Sequence, residues 1–98
     1  MADPAATAPV SVVGPCYRCG ATIGDAVASI ASQTLPPRQV LLVDDASADG
    51  TAQALHALAA SYPTGWIDVV ELPRNGGPAA ARNAGRARAT QGLIAFLD

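Results

Sequence analysis

Lysine is absent and histidine occurs once, so all six basic side chains of this 98-residue sequence are arginine, set against eight acidic ones. A formal charge of -2 and a pI near 5.0 exclude a general electrostatic pull toward nucleic acid. Aromatics are equally scarce: one Trp, one Phe and two Tyr. The hydrophobic half of the composition is mostly Ala and Val, which favours close helix-to-sheet packing over a bulky aromatic core. No apolar run reaches the roughly 18 residues a membrane span needs. Two cysteines give no disulfide framework, so a cytoplasmic setting is the default, with membrane association of a longer protein as the alternative. The Ala/Pro-rich start, residues 1–9, has neither a basic opening nor an apolar core and reads as a disordered tail.

What is present centres on Val40–Thr51. Val40 to Val43 is apolar without alternation, the habit of a parallel strand covered on both faces. Asp44 and Asp45 then fall at its carboxyl end, where open α/β sheets bind ligands. Ser47 or Asp49 is expected to cap the helix that follows, on the stripe Leu55, Leu58, Ala59 and Tyr62. Before this stretch, Val10–Gly14 reads as a strand ended by Pro15. A helix then starts at Thr22, with Asp25 completing a weak capping box and Ile23, Val27 and Ile30 on one face. After it, Trp66–Leu72 reads as a strand nearer the sheet's edge. The turn Pro73–Pro78 leads into a helix with Pro78 in its first turn, and Leu93–Leu97 is a fourth strand.

Strands alternating with helices at this spacing predict an α/β fold, a parallel sheet of about four strands in the order 3-2-1-4 with helices on both faces. The chain then reverses direction between strands one and four. Pro15, Tyr17, Asp45 and Asp98 would line one crevice at the carboxyl edge.

Cys16 and Cys19 have the spacing of a thiol redox motif. Gly20 and Ala21 separate them from the helix, whose dipole such a motif uses to activate a thiol, so a structural pair is the better reading. The single histidine, His56, has no soft partners that would make a zinc site and reads as a solvated surface residue. Arg82 is the arginine best placed to meet an anion at the crevice, beside Asn83 and after Gly76 and Gly77. Arg86 and Arg88 read as solvated.

Five blocks in order, 10–17, 32–37, 42–51, 75–85 and 95–98, resemble the inverting family-2 glycosyltransferases of the GT-A fold. The resemblance implies a three-layer, Rossmann-like half-domain over residues 10–98 that binds a nucleotide-diphospho-sugar, UDP-linked by expectation. It places Pro15, Tyr17 and Asp45 at the base, Asp44 in support, and Gly76, Gly77, Arg82 and Asn83 along the nucleotide. Asp98 becomes the first Asp of an Asp-x-Asp motif that reaches Mg²⁺ or Mn²⁺ through the diphosphate. Arg18 stands where Asn is common, and Gly14 where a bulky aliphatic is usual. The second Asp, the catalytic carboxylate and the acceptor half are not in these residues, so the chain is expected to be inactive alone. A stand-alone nucleotide-binding or interaction module and, further behind, a thiol redox domain are the other readings. An apolar fourth strand at the sheet's edge suggests a homo-oligomer.

Overall fold

A computed structural model describes residues 7–97, and the expectations for residues 1–6 and for Asp98 lie outside them. The order is β1 (Ala8–Cys16), α1 (Ile23–Ala31), β2 (Pro37–Asp44), α2 (Thr51–Ala60), β3 (Ile67–Glu71), α3 (Gly77–Arg88) and β4 (Leu93–Phe96). The strands form one sheet in the order β3-β2-β1-β4, every pair parallel, as the spacing predicted.

β2 explains its own unbroken apolar run. Successive side chains leave a strand on opposite faces. Val40 and Leu42 join Cys16, Ile23, Val27, Ile30, Leu55 and Ile67 on the α1 and α2 side. Leu41 and Val43 join Val13, Val70 and Ala81 on the α3 side. Two cores, one on each face, make the three layers.

The helix on the second face lies very close to the sheet because Gly85 has no side chain. A Cβ there would overlap the Val13 side chain and press on Val43 at 3.1 Å. At the amino edge, the Gln39 side-chain carbonyl accepts the Ser11 hydroxyl at 2.6 Å and the Thr90 N–H at 2.9 Å, tying the end of α3 to β1 and β2.

Three local expectations change. β1 begins at Ala8, inside the expected tail, because the Ala8 N–H donates to the Pro36 carbonyl at 2.8 Å. It also runs through Pro15 instead of ending there. The Val13 carbonyl faces β4, accepting the Leu97 N–H at 2.9 Å, so the Pro15 nitrogen faces the same side, beyond the last β4 pairing, where no N–H is required. The capping box at Thr22 does not form: its hydroxyl donates back to the Cys19 carbonyl at 3.3 Å.

Candidate functional site

The carboxyl ends of β1 and β2 and the chain leaving β4 surround a cavity of about 430 Å³, at the point where the strand order reverses. Pro15, Tyr17, Asp45, Gly77, Arg82 and Leu97 line it. The expected crevice residues within the described chain therefore meet at one place. Tyr17 is half exposed, with the Arg18 guanidinium 5.3 Å from its ring centroid. Arg18 holds a left-handed backbone, φ +56, and its N–H donates to the Ser47 hydroxyl at 2.7 Å.

The two adjacent carboxylates do separate work, and both are buried. Asp44 accepts the Ser47 N–H at 3.1 Å and fixes the turn after β2. It is not among the residues that line the cavity. Asp45 reaches the glycine turn: one carboxylate oxygen accepts the Gly76 N–H at 2.8 Å and the other the Gly77 N–H at 2.9 Å. Its backbone carbonyl also accepts the Asn75 side-chain amide at 3.2 Å. Asp45 thus caps α3, so the amides at that helix's start, a natural place for an anion, are already occupied by a carboxylate.

Gly76 is turned onto Asp45 and does not line the cavity, and Asn83 is exposed on α3 one position beyond Arg82. Asn75, Pro78 and Ala81 line it without having been singled out, although all three stand in the block at 75–85. Asp49 accepts the Thr51 hydroxyl at 2.5 Å and the Thr51 N–H at 3.2 Å. The first of these bonds above all holds its carboxyl below the usual range. Gly50, at φ +86, occupies the cap position itself. Ser47 is spent on Arg18. His56 is exposed as expected but pairs with Glu71 at 2.9 Å. Cys16 and Cys19 are joined as a disulfide.

The described residues do not form a metal site of their own. No cluster of three His, Cys, Asp or Glu side chains occurs among them, and Asp44 and Asp45 are committed to backbone N–H groups. Asp98, the residue expected near the metal, lies outside them.

Residues 11–98 match the family model for glycosyl transferase family 2. The chain belongs to that family. Among its relatives is the succinoglycan biosynthesis protein ExoO of Rhizobium meliloti (strain 1021), 39% identical over 91% of this chain and 24% of ExoO. The mannosyltransferase PcManGT of Pyrobaculum calidifontis, solved with GDP-Man and Mn²⁺, superposes with a TM-score of 0.80 at 31% identity, covering 96% of this chain and 28% of that one. S. aureus TarS 1-349 in complex with UDP gives 0.78 at 30%, covering 91% and 26%. The three-layer sheet is therefore that of family-2, GT-A type enzymes. The chain spans 21–35% of the length of the curated relatives it matches. Among the described residues, no helix is long and apolar enough to cross a membrane.

Proposed function

We propose that residues 10–98 are the donor-nucleotide half of a glycosyltransferase domain, taking a UDP-linked sugar and inactive without an acceptor half. The observation that carries this reading is the cavity at the strand-order reversal, where Tyr17, Asp45 and Arg82 offer a ring, a carboxylate and a cation within one concavity. Family membership and the nucleotide complexes of PcManGT and TarS support it. Each Asp45 oxygen accepts one backbone N–H and keeps a further lone pair, so the carboxylate can also take the uracil imide N–H. Arg82 faces the diphosphate, and Tyr17 offers its ring to the base.

UDP titrated into the protein tests the reading. Losing a charge-assisted hydrogen bond costs about 1.5–3 kcal/mol, so Asp45→Asn should weaken binding roughly tenfold or more. Equal affinity for both proteins would remove Asp45 from the base. Divalent metal belongs to the nucleotide-bound state, with Asp98 next to a metal whose oxygens come mostly from the diphosphate. Calorimetry should show Mn²⁺ binding only when UDP is present, and tight binding of Mn²⁺ alone would overturn that assignment. Self-association through β4 is the one partnership with a second protein chain in this proposal.

A further inference from the structure

We propose that the Cys16–Cys19 bond is a thiol-sensitive latch on the nucleotide cavity, holding Tyr17 in its binding position while intact and releasing it on reduction. This rests on the nucleotide reading of that cavity. Cys16 and Tyr17 both line it, and the bond closes a ring around Tyr17 and Arg18 alone.

The strain inside that ring lies in Arg18. Its φ of +56 is a conformation that a side chain with a Cβ resists, and two restraints impose it: the cross-link and the bond from the Arg18 N–H to Ser47. The ends of the ring are anchored independently. The Cys16 carbonyl accepts the Asp45 N–H at 2.8 Å, and the Cys19 carbonyl accepts the Thr22 and Ile23 N–H groups, each at 3.0 Å. Opening the bond therefore leaves β1 and α1 in place. With only the Ser47 bond left to hold it, Arg18 gives up that bond, relaxes toward negative φ and swings the Tyr17 peptide and ring away from the cavity.

The chemistry requires a dithiol reductant. Its thiolate attacks Sγ of Cys19, which is partly exposed where Cys16 is buried. The Cys16–Cys19 bond breaks, a mixed disulfide forms on Cys19, and Cys16 leaves as a thiolate that takes a proton. The reductant's second thiol loses its proton and attacks its own sulfur in the mixed disulfide, releasing Cys19 as a thiol. Two electrons and two protons pass to the protein, and the dithiol becomes a disulfide. Neither cysteine stands in the first turn of α1, which suits a switched cross-link better than a catalytic redox pair.

UDP affinity is measured on the oxidised protein and again after dithiothreitol, with far-UV circular dichroism recorded in both states. Reduction should weaken UDP binding about fivefold, the scale set by holding a non-glycine residue in the left-handed region. The spectrum should not change. In Arg18→Gly, where φ +56 carries no Cβ penalty, the two states should differ by less than about twofold. Equal affinity of the parent in both states would overturn the latch and leave the nucleotide reading intact. Loss of the fold on reduction, or the same loss of affinity in Arg18→Gly, would make the bond a plain structural cross-link and overturn the latch as well. Failure of UDP to bind in either state would remove both proposals.

Discussion

Three aspartates at the end of β2 and just beyond it each hold a different group: Asp44 fixes its own turn, Asp45 caps α3, and Asp49 holds Thr51, the first residue of α2. Position alone does not separate these roles, because a carboxylate takes whichever N–H the backbone turns toward it. The reach of Asp45 across to Gly76 and Gly77 spans more than thirty residues of chain and is visible only once the glycine turn is folded against the strand end. The bond from Asp49 to Thr51 is local, and the sequence carried it as one of two capping candidates. It also has a pH signature. The Thr51 hydroxyl lowers the Asp49 pKa in the folded protein most; desolvation pushes it part of the way back up, and the Thr51 N–H and the Arg18 guanidinium lower it again by less. Protons therefore bind the unfolded chain more readily. The stabilisation is complete above the unfolded value and disappears as pH falls through the lowered one. Asp49→Asn should melt at a lower temperature than the parent at pH 7, and the two curves should converge in acid below the usual carboxylate range. A constant gap across that range, followed by circular dichroism, would show that the carboxylate's charge is not what matters.

At the scale of elements, the approach of α3 to β1 and β2 turns on one missing side chain. Alanine at an exposed helix position would gain up to about 1 kcal/mol over glycine. At Gly85 the added carbon overlaps Val13, which is fully buried in the sheet and has nowhere to move. Overpacking of this kind costs about 1–3 kcal/mol, so Gly85→Ala should be destabilising overall. Gly24 in α1 is the control, since nothing lies within 4 Å of its added carbon, and Gly24→Ala should be neutral or stabilising. Urea midpoints for the two variants that moved together would contradict the packing account. The same pair shows what was legible in advance. Periodicity and turn residues placed the seven elements, because apolar stripes such as Ile23, Val27 and Ile30 point to the core they bury against, and the alternation of strands with helices set the sheet order. The ends of elements were harder. Pro15 looks like a strand terminator until β4 is known to stop short of it, and Ala8 looks like tail until the Pro36 carbonyl is found opposite it. Of the residues that line the cavity, Tyr17, Asp45 and Arg82 were named from the sequence, whereas Asn75 was missed. Its amide serves a backbone carbonyl thirty residues away, and no spacing rule announces such a bond.

The molecule as a whole has one side of unequal quality. β4 is bonded only to β1 among the described residues, and Leu93 and Phe96 on it are 63% and 46% exposed. Beside it, Val10, Val12, Ile30, Leu35, Ala95 and Phe96 line a groove of about 270 Å³ that is largely apolar. An edge strand with free N–H and C=O groups next to exposed apolar side chains is a template for another strand. The simplest partner is a second copy. A twofold axis beside β4 would pair the two edges antiparallel and carry the groove's apolar face across both copies. Light scattering of the 98-residue chain at micromolar concentration should report a dimer, and a clean monomer would end the idea. The contact can be probed without disturbing the core by choosing the side chain with care. Ile94 packs against the core on the α3 side, so a lysine there would unfold the chain as readily as it would separate two copies. Phe96→Lys puts the charge on an exposed position of the same strand. It should shift the population to monomer while leaving the melting temperature of the monomer nearly unchanged. A dimer that survives Phe96→Lys would place the contact on some other face.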